Sequence, residues 1–187
     1  MKTTEANLSE AETHYRRVLA LATTDDRASY RYWALLGLGD IRMKRGNLPD
    51  ALKSYRDSLA IRDRLAQADP GNAGWQRDLS VSYNKIGDGQ VAQGNLPDAL
   101  KSYRDGLAII DRLAQADPGN AGWQRDLSVS YAKIGVVFQR TGNKTEALNA
   151  LREGDTIIER MTRLSPDNVQ WKQDLNWFDK QIAGANK

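Results

Sequence analysis

Apolar residues recur along this chain at intervals of three and four rather than two, a spacing that predicts helices from end to end. Leu96, Ala99, Leu100, Tyr103, Leu107 and Ile110 fall on one stripe of one helix, and Leu79, Tyr83, Ile86 and Val91 do the same in the segment before it. Polar breaks separate the stripes. Gly94-Asn95 stops one helix, Pro97 sits in the first turn of the next, where its missing N–H costs nothing, and Asp117-Pro118-Gly119-Asn120 breaks the chain again with Asn120 as N-cap. The same punctuation predicts eight helices, near residues 8–22, 27–45, 48–67, 73–93, 96–115, 121–141, 144–164 and 168–183.

An offset of 48 residues superimposes the chain on itself: residues 46–93 and 94–141 are identical at 39 of 48 positions. A diverged copy follows from Gly142, with Ala147, Leu148, Trp171, Asp174, Leu175 and Ile182 at the expected places. A partial copy leads the chain, where Leu8, Ala11, Tyr15 and Leu19 match Leu48, Ala51, Tyr55 and Leu59 at an offset of 40. Each unit is therefore a helix-turn-helix hairpin.

Within the units a bulky residue, an aliphatic-Gly pair, Ala, an aromatic and a small residue recur: Tyr83, Ile86-Gly87, Ala99, Tyr103 and Gly106 in one, Leu35, Leu38-Gly39, Ala51, Tyr55 and Ser58 in another. A third reads Tyr131, Ile134-Gly135, Ala147, Leu151 and Gly154. This pattern resembles the tetratricopeptide repeat. The resemblance implies an all-α fold, a right-handed solenoid of antiparallel helix hairpins forming a superhelix, in which small residues mark close helix crossings. The usual unit has roughly 34 residues, so each helix here carries about seven more, close to two turns, which keeps the apolar face in register. Leu65, Leu113 and Leu164 continue one face of the extension, and Trp75, Trp123 and Trp171 supply the other as packing knobs between hairpins. We expect one domain over residues 1–187: a leading half-hairpin (8–22), hairpins 27–67, 73–115 and 121–164, and a capping helix 168–183. In that last helix Asp179 and Ala183 replace Tyr131 and Gly135, a polar end, while Phe178 replaces a serine and is expected to be partly exposed.

Composition narrows the chemistry. The chain has 187 residues and is 40% hydrophobic, enough for a substantial core. It has no cysteine and a single histidine, His14, which removes disulfides, thiolate metal sites and cysteine nucleophiles and makes a histidine-rich metal or catalytic site implausible. No cofactor and no metal site is expected. The net charge of +3 is interspersed, so nucleic acid and anionic membrane are poor partners despite a pI of about 9.1. No secretory h-region opens the chain and no run approaches the ~18 apolar residues of a membrane span, so a cytoplasmic location is expected.

Gly87 to Ala92 match the GxGxxA expression of a dinucleotide site, but they lie inside a helix instead of between a strand and a helix, so they are rejected as a phosphate cradle. Paired carboxylates such as Asp57 with Asp63 sit among Arg and Lys on a solvated helix face, which fits ion pairing better than acid-base catalysis. Asp78, Asp126 and Asp174, three after each tryptophan, read as structural partners. No enzyme activity is expected.

Seven of the nine differences between the near-identical copies fall from Asn84 to Gln93. In arrays of the family it resembles, that helix lines a concave groove. The carried-over lining is Trp33, Leu36, Asp40 and Met43, then Val81, Asn84, Asp88 and Val91, then Val129, Ala132, Val136 and Gln139, and finally Trp177 and Lys180. Such a lining lacks the basic, amide-rich clamp with which some family members hold a C-terminal carboxylate. It suggests a peptide segment of a partner protein, with apolar anchors on Trp33 and Trp177 and a basic residue facing Asp40 or Asp88. The expected function is a non-enzymatic protein-interaction scaffold. The alternatives are a structural protein that self-associates through its terminal helices, and a regulatory segment of a larger protein.

Overall fold

The computed structural model describes residues 2–24 and 27–185. They form eight helices: α1 (Lys2–Leu21), α2 (Ala28–Lys44), α3 (Leu48–Ala68), α4 (Ala73–Ala92), α5 (Leu96–Ala116), α6 (Ala121–Arg140), α7 (Lys144–Leu164) and α8 (Val169–Ala185). No strand occurs among the described residues. Seven helices fall within two residues of their predicted bounds. The exception is α1, which begins at Lys2 and not near residue 8. Its first turns carry no apolar stripe for periodicity to detect, and they are held instead by polar contacts such as Glu5 with Arg45 at 2.6 Å.

Two kinds of turn alternate, each written in short sequence. Gly46, Gly94 and Gly142 have φ of 76°, 79° and 78°, the left-handed region open to glycine. At the first of these, the Asn47 N–H donates to the Arg42 carbonyl and the Gly46 N–H to the Met43 carbonyl, the two-bond closure of a Schellman cap. The other turn begins a helix with asparagine. The side-chain oxygens of Asn72, Asn120 and Asn168 each accept a bond of 3.1 Å from the N–H of Trp75, Trp123 and Trp171. The helices α4, α6 and α8 thus each place a tryptophan three residues after a capping asparagine.

The chain divides into two compact units, residues 1–95 and 96–187. The boundary falls between α4 and α5, inside the expected 73–115 hairpin. In the first unit Tyr32, Leu36, Ala51, Leu52, Tyr55 and Ile86 form the core, drawn from α2, α3 and α4. The Tyr55 ring lies so close to Gly39 that no Cβ could be added there. In the second unit Leu151, Ile158, Met161 and Phe178 form one cluster, with Trp171 and Leu175 packed on it. Ile110, Ala114 and Leu127 form another, with Trp123 packed on it. The tryptophan column is half-buried, as interhelix packing requires.

Two expectations fail. Leu164 is 78% exposed, because the counterpart of Leu65 and Leu113 at the 48-residue offset is Met161, which is buried at 3%, and Leu164 lies about a turn beyond it. Phe178 is buried at 2% exposure, because its ring packs over Gly154, where the absent side chain leaves room.

Candidate partner-binding site

The groove positions are taken unit by unit. On α2, Trp33 is exposed at 52% and meets the Tyr32 ring edge-on at 4.9 Å. Leu36 is withdrawn from the surface: it is a core residue between Tyr32 and Tyr55 and cannot line a groove. Met43 packs partly on the same core. Asp40 accepts bonds of 2.7 Å from the Tyr55 hydroxyl and of 2.7 Å from the Lys85 ammonium. The basic residue expected of a peptide at Asp40 is thus already supplied by α4. Burial, then the bond to Asp40, raises the Tyr55 phenol well above its ordinary range. On α4, Val81, Asn84, Asp88 and Val91 are all half-buried.

Beside these positions the first unit is filled by a packed polar cluster. Tyr32 is fully buried, and its hydroxyl donates to the Asp78 carbonyl at 3.0 Å. Burial pushes its phenol up to about 12. Arg62, 1% exposed, lays its guanidinium 4.0 Å from the centroid of that ring and bonds the Asp78 carboxylate at 2.8 Å. Arg62 is one of only two differences between the near-identical copies that lie outside the variable helix end, and it is a core residue rather than surface drift.

In the second unit three groove positions converge. Val129 and Ala132 on α6 and Trp177 on α8 line a cleft of about 250 Å³, together with Ser128, Asp174 and Phe178. Trp177, 37% exposed, stands at the mouth and meets the Phe178 ring edge-on at 5.1 Å. The polar groups of the lining already have partners. The Ser128 hydroxyl donates to the Arg125 carbonyl at 2.9 Å. The Asp174 carboxylate accepts from Arg125 at 2.7 Å and from Gln170 at 2.8 Å. Val136 and Gln139 continue along α6, half-buried, and Gln139 donates to the Gln181 carbonyl at 3.3 Å. Lys180 is exposed on α8. Sequence reasoning placed Val129, Ala132 and Trp177 together but missed Ser128, Asp174 and Phe178. The detectable signal was the exchange of large for small residues at equivalent repeat positions.

The rejected glycine motif lies within α4, where Gly89 packs against Leu52. His14 is exposed beside Tyr15. Among the described residues no group of three or more His, Asp or Glu is placed to hold a metal ion. No helix among them is long and apolar enough to cross a membrane.

Residues 34–69, from α2 to the end of α3, match the tetratricopeptide repeat family model. A comparison with curated proteins finds no match. Among solved structures, the crystal structure of MamA protein is similar over 98% of this chain and 85% of that one, with a TM-score of 0.54 and 17% identity. That of BtubC (BKLC) from P. vanneervenii is similar over 95% and 71%, with a TM-score of 0.51 and 18% identity. At these identities the likeness concerns the fold, a tetratricopeptide-like array of helices.

Proposed function

We propose that this chain, an array of tetratricopeptide repeats, works as a non-enzymatic protein-interaction module that binds a peptide segment of a partner at the α6/α8 cleft. The repeat fold supports an interaction role in general. The observation that carries the specific reading is the cleft itself. It is largely apolar, its polar groups are internally partnered, and its volume of about 250 Å³ lies below the roughly 300–1,000 Å³ of sites for drug-sized ligands. That size suits one side chain of a longer ligand. The rest of the ligand would run past Val136, Gln139 and Lys180. A tryptophan at the mouth is the residue type that most often dominates binding energy.

Selection of a random short-peptide display library on the immobilised chain tests this. Peptides that bind saturably and lose affinity when Trp177→Ala is introduced are expected. A library yielding no saturable binder would sink the reading.

A second reading, self-association, draws on the exposed apolar residues of the first unit: Leu21 at 60%, Tyr30 at 66% and Trp33 at 52% exposure. Light scattering across a wide concentration range separates the two. A mass that grows with concentration, and no longer grows after Tyr30→Ser with Trp33→Ser, would favour assembly.

A further inference from the structure

Resting on the peptide-binding reading above, we infer that the cleft selects a single uncharged aliphatic side chain of leucine or methionine size, at a place that Leu36 fills in the first unit. The two units carry the same positions two repeats apart, and comparison of them shows what the cleft is missing. In the first unit the large aromatic ring comes from Tyr32 on α2 and faces the small Ser82 on α4. In the second unit the exchange is complete: the small residue is Ser128 on α6, and the ring is Phe178 on α8. The rim residues exchange in the same sense, Trp33 with Val81 against Val129 with Trp177. Ring volume and rim volume are therefore conserved.

One position is not compensated. Leu36, 6% exposed and packed among Tyr32, Leu52 and Ile86, becomes Ala132. On α8 the residues following Phe178 are Asp179, Lys180 and Gln181, so no apolar side chain replaces the lost leucine. The cleft lies where the first unit has that leucine, beside the Phe178 ring. Charge complementarity points the same way. The Asp174 carboxylate is held by Arg125 and Gln170, and the Ser128 hydroxyl by a backbone carbonyl, so a charged anchor would be desolvated without a free partner.

The experiment uses the full chain and peptides enriched from the random display library. Calorimetry compares each peptide with versions in which its anchor is changed to alanine or lysine. The same peptides are titrated into Ala132→Leu, which restores the residue of the first unit, and into Val129→Trp, which narrows the mouth with the residue Trp33 carries there. Expected results are an aliphatic anchor, a loss of about tenfold or more in affinity for the alanine and lysine versions, and a comparable loss on Ala132→Leu with its melting temperature retained or raised. Should Ala132→Leu fail to fold, Val129→Trp carries the same comparison from the rim. Peptides that bind both variants as well as the wild type, or whose essential anchor is charged, would overturn this inference while leaving the peptide-binding reading intact. Absence of any binding peptide would overturn that reading and this inference with it.

Discussion

The Arg62 guanidinium is sandwiched between the Tyr32 ring, 4.0 Å from its centroid, and the Asp78 carboxylate at 2.8 Å, with the arginine side chain 1% exposed. The other two copies have Ile110 and Ile158 at this position, both buried, so an apolar residue fits the repeat but not this neighbourhood. Removing the cation leaves Asp78 facing a low-dielectric core, where burial already raises its pKa. Arg62→Ile is expected to destabilise the first unit by about 3 kcal/mol, as breaking a buried pair does. Arg62→Ile with Asp78→Asn should recover much of that. Urea denaturation of the two variants checks it, and equal losses in both would mean that the stack on Tyr32, not the pair, is what stabilises.

The last hairpin carries an acidic pair where its predecessors are apolar. Leu107 and Tyr131 pack in one cluster, and their counterparts one repeat later are Asp155 and Asp179. Asp155 is half-buried, one of its carboxylate oxygens lacks a hydrogen-bond partner, and burial, then Asp179 and Glu159, raises its pKa above the ordinary 3.8. Between the unfolded value and the raised folded one the native state holds more protons, so stability falls as pH rises through that window and the penalty is complete above it. Asp155→Leu is expected to raise stability at neutral pH by on the order of 1 kcal/mol, half of a full leucine burial. The gain should shrink as the pH falls below the ordinary carboxylate range. Melting curves from neutral to acidic pH test this, and a gain independent of pH would remove the carboxylate as its cause.

Helix number and type were legible because the 3.6-residue stripe, the Gly-Asn stops and the Asn caps repeat, and repetition turns weak local signals into one consistent pattern. The start of α1 was not, since Lys2 to Asn7 contribute no apolar stripe. Leu36 was misplaced because groove and core positions sit on adjoining faces of one helix, and only contacts distinguish them. Phe178 was misjudged for a related reason. Its burial depends on Gly154, 24 residues away, and a single copy of the hairpin gives no hint that the two changed together. Arg62, one of the Arg and Lys residues expected on a solvated helix face, is buried instead, because Tyr32 and Asp78, distant from it in sequence, enclose it.

Arg45, just past the end of α2, ties α1 down. Its guanidinium bonds Glu5 and Glu12 and reaches the Ser9 hydroxyl at 3.0 Å, three successive turns of one helix face. The side-chain bonds from Arg16 and Arg45 hold the Glu12 carboxyl below its ordinary range, so this contribution is present at neutral pH and is lost as the pH falls through the lowered value. Arg45→Ala should speed hydrogen exchange across α1 while leaving α3 and α4 protected, and added salt should reproduce part of the effect in the wild type. Unchanged exchange in α1 would show that Tyr15, which packs against Gly37, holds the helix by itself.

Gly154 and Phe178 form a matched pair that can be exchanged as a unit. An added Cβ on Gly154 would lie 2.5 Å from the Phe178 ring and 3.1 Å from the Ser128 carbonyl, and neither buried group is free to shift. The first copy solves the same contact with Ser58 and Ser82, both fully buried. Gly154→Ser alone is therefore expected to cost about 1–3 kcal/mol from overpacking, and Phe178→Ser about 3 kcal/mol or more from the lost ring. The double variant should cost less than the sum, because the serine at 154 no longer meets a ring and fills part of the space it leaves. A double-mutant cycle by chemical denaturation measures the coupling. Additive losses would mean that Phe178 is held by Leu151, Ile158 and Met161 alone, and that the glycine opposite it is incidental.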